Sequence, residues 1–246
     1  MKRLNWQIVF GLSLIVLSVL LYLLHFIIFR DARHIFLYLL GDIAFIPVQV
    51  LLVTLVINQF LKVREKRSML KKLNMVIGVF FSEVGINLIK HFGHFDNSFD
   101  ELRKHLVLKN DWSGKDFLAA HRNIKAFDYR IESKKESLEP LRGFLNNERG
   151  FLLGLLENPN LLEHETFTEL LWAVTHVAEE LVYRDDLKGL PDADYAHLSN
   201  DIKRAYTLLI VEWLAYMKHL RNEYPYLYSL AVRTNPFDPE ATVEFT

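Results

Sequence analysis

The fold is decided by the stretch IVFGLSLIVLSVLLYLLHFIIF, which runs from Ile8 to Phe29. It contains no Asp, Glu, Lys or Arg. At a rise of about 1.5 Å per residue, a helix of this length covers roughly 30 Å, the thickness of the hydrocarbon layer of a membrane. The stretch is too long for the apolar part of a signal peptide, and no small-residue cleavage site follows it. We therefore predict an uncleaved transmembrane helix at 8–29.

A second apolar stretch follows at once, at 35–61, and Asp42 is its only charged residue. Because the connection at 30–34 is short, the two helices must be antiparallel neighbours. The surplus length of the second stretch indicates tilt or continuation beyond the membrane. The sequence thus predicts a transmembrane helical hairpin over 1–61.

Basic residues flank the hairpin more densely than they occupy its connection, which holds Arg30 and Arg33. Lys2 and Arg3 precede the first helix. Six residues, here named the basic collar, follow the second: Lys62, Arg64, Lys66, Arg67, Lys71 and Lys72. Since basic flanks stay cytoplasmic, we predict a multi-pass protein of the cell (inner) membrane with both termini in the cytoplasm. The collar is interpreted as a topology signal; the alternative is that it also binds anionic headgroups of the lipid bilayer.

Asp42 is the least favourable residue of the hairpin, because a carboxylate near mid-membrane costs about 2.5–3.5 kcal/mol on insertion scales. If the hairpin folds about Ala32, Asp42 lies within roughly one helical turn of the depth of His25. Three interpretations stay open. The two side chains form an interhelical polar pair, Asp42 is hydrated near the outer interface, or it belongs to a proton or ion path.

The remainder of the chain has helical patterns and few breakers. We predict a helical extension of the second span over 62–92, with Glu83 as a weak site candidate that we expect to be paired or exposed at a rim. A cytoplasmic helical bundle over 93–246 follows, with Ser113 as an N-cap. Its helices are expected at about 98–107, 114–133, 137–157, 164–184, 193–222 and 226–233. The predicted fold class is all-α: an N-terminal transmembrane helical hairpin followed by a cytoplasmic helical bundle.

One polar cluster in the bundle has the residue types of a metal site. If the last two long helices pair antiparallel about Lys188, two histidines and two carboxylates come level: His176, Glu180, His197 and Asp201. Such a set could bind a divalent metal ion. Against this, the apolar stripe of the helix that carries His176 and Glu180 lies nearly opposite His176. The Glu-x-x-His order of helical di-iron sites is also absent. Solvated or salt-bridged surface residues are the favoured interpretation; a buried hydrogen-bond network and a metal site are the alternatives.

The C-terminal stretch 224–237 is almost wholly apolar or aromatic and must be covered. It could dock on the bundle, on the membrane surface or extended second helix, or on another subunit. Docking on the bundle is the favoured interpretation.

Composition and missing motifs exclude several functions. The chain has no cysteine, which removes disulfides, zinc-thiolate sites and cysteine nucleophiles. A net charge of −1 gives no reason to expect nucleic acid binding. Neither a glycine-rich phosphate loop nor a nucleophile elbow is present, and we expect no cofactor.

Two stretches resemble a known group of proteins: REKRSMLKKLNMVIGVFFSEVG at 64–85 and YPYLYSLAVRTNPF at 224–237. They are similar to an uncharacterised prokaryotic membrane protein family with two N-terminal transmembrane helices and a cytoplasmic helical domain. The resemblance covers most of the chain in the same order. It implies this topology and a prokaryotic origin, and it implies no activity.

We therefore expect a non-enzymatic integral membrane protein, an oligomeric scaffold or sensor. Its cytoplasmic domain would bind a protein partner, with a homo-oligomer as the expected assembly. The alternative is a small oligomeric ion channel or transporter that uses polar residues of the second span. The third hypothesis is a metal-dependent helical enzyme.

Overall fold

The computed structural model describes residues 6–134, 136–159, 161 and 164–244. Lys2 and Arg3, on which the predicted orientation partly rests, lie outside the described residues. Four further side chains, within helices, are also outside the description: Gln7, Ala32, His34 and Arg67.

Helices dominate the described part of the chain, and the all-α prediction is confirmed there. One isolated β-bridge joins Asp96 to Ile131. The ten α-helices of the described ranges are α1 Trp6–Phe29, α2 Ala32–Phe80, α3 Ile86–Gly93, α4 Phe99–Leu102, α5 Gly114–Lys125, α6 Glu139–Asn147, α7 Arg149–Leu156, α8 Glu165–Val182, α9 Asp192–Glu223 and α10 Pro225–Arg233. A π-helical turn, Phe81–Gly85, connects α2 to α3, and a 3₁₀ turn, Arg103–His105, follows α4. Helical structure therefore runs without a break through 62–92.

The chain divides into two compact units, Met1–Lys66 and Arg67–Thr246, here called the N-terminal and C-terminal units. In the N-terminal unit most large apolar side chains of α1 and of α2 up to Leu61 are exposed, with Ile35 and Leu39 half-buried; Phe60, for example, is 72% exposed. Among the residues that the structure describes, two helices, both near the N-terminus, are long and apolar enough to cross a membrane by length and composition.

The turn between α1 and α2 is built from Arg30 and Asp31. The backbone N–H of Arg30 donates to the Phe26 carbonyl at 2.8 Å and ends α1, while Arg30 itself has a positive φ of 50°. The Asp31 carboxylate then accepts from the backbone N–H of Arg33 at 2.9 Å, which satisfies a free donor in the first turn of α2. Two residues thus suffice to connect the helices, fewer than the five of the predicted connection.

In the C-terminal unit α9 is the central helix. It packs along α8 and also contacts α3, α5 and α10, while α6 and α7 pack on α8. The reason lies in its sequence, because apolar residues recur every three or four positions and form one stripe. The stripe predicts burial correctly for Leu198, Ile202, Leu209, Trp213 and Leu220, whereas its sixth residue, Tyr216, is only half-buried.

Two predicted helices are wrong in extent. The helix expected at 114–133 ends at Lys125, because residues 130–132 run extended beside 95–97 and exchange backbone hydrogen bonds with them, Asn97 N to Arg130 O and Glu132 N to Phe95 O. The helix expected at 137–157 is interrupted at Glu148, whose φ and ψ of −86° and 0° are not helical. Tertiary pairing and a local turn override helical propensity at these two places.

Candidate functional site

Helices α8 and α9 each present a histidine and a carboxylate one turn apart. On α8 these are His176 and Glu180, and on α9 they are His197 and Asp201. Because α8 and α9 pack antiparallel, the four side chains meet, as the pairing about Lys188 predicts. We call this set the His/carboxylate cluster.

The distances within the cluster are short. Asp201 Oδ2 lies 3.2 Å from His197 Nε2 and 3.4 Å from His176 Nε2. Glu180 Oε2 lies 3.6 Å from His197 Nε2, and Glu180 Oε1 lies 3.9 Å from His176 Nε2. Ligand-type atoms of His176, Glu180 and His197 lie within 4.8 Å of one another, as a shared cation would require.

Each carboxylate of the cluster accepts a hydrogen bond from an arginine. Arg184 Nη1 donates to Glu180 Oε2 at 2.6 Å, and Arg204 Nη2 donates to Asp201 Oδ1. The hydrogen bond from Arg184 holds the pKa of Glu180 below its usual value, against the opposing effect of burial. Glu180 is therefore ionised at neutral pH, as a metal ligand or an ion-pair partner must be.

The cluster is neither a solvated surface patch nor a closed core site. The Asp201 side chain is 4% exposed, whereas the side chains of His176 and His197 are 44% and 51% exposed. The helical wheel of α8 alone places His176 opposite the apolar stripe, which is correct. It omits α9, which covers this face and brings the buried Asp201 beneath both imidazoles.

The chain belongs to the MJ1433 family. Residues 2–61 match the family described as "MJ1433, N-terminal helical domain", and residues 69–233 match that described as "Uncharacterized protein MJ1433, C-terminal helical domain". The relative "Uncharacterized protein MJ1433" of Methanocaldococcus jannaschii is 44% identical over 239 residues, which cover 97% of this chain and 96% of that protein. No solved structure matches the chain.

Both domains of the MJ1433 family contain residues singled out in the sequence. The resemblance to an uncharacterised family of two parts is confirmed, and both parts are helical. The match at 2–61 includes His25 and Asp42, and the match at 69–233 includes the whole His/carboxylate cluster.

In the N-terminal unit, His25 and Asp42 line one cleft between α1 and α2. The structure therefore places both residues at one cleft, and their depth in a membrane stays a prediction. The cleft is also lined by three further polar side chains, Ser18, Tyr22 and Tyr38, among leucines and an isoleucine. A polar face of this kind is unusual on two otherwise apolar helices.

The basic collar is exposed wherever its side chains are described. In the N-terminal unit these are Lys62, Arg64 and Lys66. In the C-terminal unit Lys71 lies 3.9 Å from Glu223, and Lys72 is exposed. Exposed basic side chains of this kind can serve as a topology signal and can also bind anionic headgroups.

A groove of the C-terminal unit was not expected from the sequence. One wall is formed by residues 74–86 and another by the last turns of α9. The third wall is formed by residues between 224 and 236, which include α10. Met75 and Val79 are 68% and 50% exposed on one wall, and Leu230 is 43% exposed on the other. Glu83 is exposed at the rim, in accord with the expectation for that residue. These apolar residues lie off the main apolar stripe of their helices, and this is the sequence feature from which the groove could have been predicted.

The other face of the C-terminal segment packs on the bundle. Tyr228 Oη donates to the Lys109 carbonyl at 2.9 Å, and Asn235 Nδ2 donates to the Leu106 carbonyl at 2.8 Å. The Phe237 ring is buried against Trp213, with 5.0 Å between ring centroids. Residues 224–237 therefore cover the bundle and also form one wall of the groove.

Proposed function

We propose that this protein is an integral membrane protein with both termini in the cytoplasm, in which the helical hairpin anchors a non-enzymatic, oligomeric scaffold domain. One observation carries the anchor: most large apolar side chains of α1, and of α2 as far as Leu61, are exposed. A surface of this size is far beyond the apolar patches that monomeric soluble proteins expose. In lipid the same side chains are at no disadvantage, and helices satisfy their own backbone hydrogen bonds.

The groove supports the oligomeric scaffold, and its proposed occupant is a second copy of this chain. On α10, Leu227 lines the groove and is 38% exposed, and the preceding residue, Tyr226, is 71% exposed and forms a ridge. A two-fold arrangement would place the ridge of each copy against the groove of the other, which is the self-complementarity that symmetric dimers need. Both copies would then bury Met75 and Val79.

Size measurement of the purified protein in detergent tests the assembly. We expect a dimer for the wild-type chain and a monomer for Leu230→Glu, because the new carboxylate would lose its water in the interface. Leu118→Glu is the matched control, since Leu118 is 56% exposed on α5, away from the groove. A monomeric wild type would remove the oligomer, and a dimeric Leu230→Glu protein would remove the groove as its interface.

A second candidate function, an ion channel or transporter, is favoured by the polar cleft that His25 and Asp42 line. Intramembrane ionisable residues commonly mark ion pathways. Flux in liposomes should then fall strongly in Asp42→Asn and persist in Leu52→Ala, a substitution on the same helix. Absence of flux, or flux that Asp42→Asn leaves unchanged, would rule this candidate out.

A further inference from the structure

We propose that the His/carboxylate cluster is a binding site for a divalent transition-metal ion of the zinc type. The site would lie wholly within the C-terminal unit. It is independent of the membrane anchor and of the proposed assembly.

The separations of the side-chain atoms match a coordination sphere. Zinc binds nitrogen and oxygen ligands at about 2.0–2.2 Å in tetrahedral geometry, which places neighbouring ligand atoms about 3.4 Å apart. Asp201 Oδ2 lies 3.2 and 3.4 Å from the two imidazole Nε2 atoms, and the Glu180 oxygens lie 3.6 and 3.9 Å from them. Ligand atoms of His176, Glu180 and His197 lie within 4.8 Å of one another, and an ion between the two imidazoles would also lie close to Asp201 Oδ2.

Each carboxylate is held by an arginine through one of its two oxygens. Arg204 takes Oδ1 of Asp201 and leaves Oδ2 toward the histidines. Arg184 donates a hydrogen bond to Oε2 of Glu180, and Oε1 of the same carboxylate accepts none from Arg184. Orientation of ligating carboxylates by such partners is a regular property of metal sites.

The second oxygen of Asp201 points independently to a cation. Oδ2 is buried, and within the described residues no donor is aligned to form a hydrogen bond with it, although both imidazoles lie close. A buried carboxylate oxygen without a partner is costly. A cation between Oδ2 and the two Nε2 atoms would satisfy it and would replace two poorly aligned contacts.

The residue types select the ion. Two imidazoles suit zinc, copper, iron and nickel more than magnesium or calcium, and two carboxylates suit harder ions than a thiolate site does. The ion would enter from the solvent side, because the two histidines are about half exposed. It would tie α8 to α9 next to their connection at 183–191.

Zinc titration of the full-length protein in detergent tests the site, and the absence of cysteine removes thiolate competitors. We expect one zinc ion per chain and a higher melting temperature with zinc, because the ion would bind the folded state. His176→Gln and His197→Gln should each weaken binding by at least about 100-fold, more than the loss typical of an outer-shell partner. His94→Gln is the matched control, since His94 is exposed in the same unit.

Cobalt(II) provides a readout that needs no variant. Its visible absorption should intensify on binding to the wild-type protein, because four-coordinate nitrogen and oxygen ligation absorbs more strongly than the aqueous ion. Circular dichroism of each metal-free variant checks its fold, and Glu180→Gln replaces any variant that is unfolded. An unchanged cobalt spectrum, no saturable zinc binding, or binding that the histidine variants keep in full would overturn the proposal.

Discussion

Ser113 and Asp116 exchange hydrogen bonds at the start of α5. The Asp116 carboxylate accepts from the backbone N–H and the hydroxyl of Ser113, both at 2.7 Å, and the Ser113 hydroxyl oxygen accepts from the Lys115 N–H. The sequence predicted Ser113 as the N-cap, because serine is a preferred residue immediately before a helical pattern. The hydrogen bonds from Ser113 lower the pKa of Asp116.

This lowered pKa makes a prediction with a defined sign. A depressed folded-state pKa stabilises the fold above the unfolded-state value, ordinarily 3.8, and the stabilisation is lost as the pH falls through the folded-state value. Asp116→Asn should therefore lower the melting temperature slightly at pH 6, by about 2 °C or less, and the difference from wild type should shrink as the pH falls below 3.8 and vanish below the folded-state pKa. Thermal melts followed by circular dichroism check it. The control is Asp111→Asn, an exposed carboxylate outside the helix, and an equal pH-dependent loss there would contradict the assignment.

For the His/carboxylate cluster, the sequence predicted which residues come together but not how deeply they are buried. Spacing of four residues placed each histidine and carboxylate on one face, and antiparallel pairing brought the two pairs level. Burial could not be predicted in the same way, because it depends on which helix covers a face. Asp201 is buried because α8 covers it, and a single helical wheel contains no such information.

At the scale of elements, the π-helical turn Phe81–Gly85 makes a second prediction. A Cβ atom at Gly85 would lie 2.5 Å from Cδ1 of Phe81 and 3.0 Å from Cε1 of Phe80. Both rings are buried and held by further rings, Phe80 against Phe167 and Phe81 against Tyr216. Gly85→Ala should therefore reduce the free energy of unfolding by about 1–3 kcal/mol, as overpacking does.

Gly143→Ala is the matched control for this substitution. Gly143 lies within α6, and nothing lies within 4 Å of its Cβ position. Alanine there should leave stability unchanged or raise it by up to about 1 kcal/mol, because it is the better helix former. Chemical denaturation of both variants measures the difference. A Gly85→Ala protein as stable as Gly143→Ala would show that the two rings move freely.

Element boundaries were predictable where apolar periodicity was long and unpredictable where tertiary contacts intervene. The helices expected at 164–184 and 193–222 agree with α8 and α9 to within two residues at each end. The helix expected at 114–133 fails because 130–132 pair with 95–97, a contact between segments more than thirty residues apart. No local pattern encodes such pairing.

At the scale of the whole molecule, the two units differ in how their apolar side chains are placed. The N-terminal unit exposes most of its large apolar side chains, whereas the C-terminal unit buries its apolar stripes in a core. The boundary between the units, at Lys66, falls between the two family matches at 2–61 and 69–233. It also falls within the basic collar, the feature from which the cytoplasmic orientation is inferred.

Labelling of single cysteines in intact cells tests the membrane anchor and its orientation most directly, because the chain has no cysteine of its own. Asp31→Cys lies in the turn between α1 and α2, and Lys115→Cys lies at the exposed start of α5. With a membrane-impermeant maleimide we predict labelling of Asp31→Cys in intact cells and labelling of Lys115→Cys only after the membrane is permeabilised. Labelling of Lys115→Cys in intact cells, or recovery of the protein in the soluble fraction, would contradict a cytoplasmic domain anchored by a transmembrane hairpin.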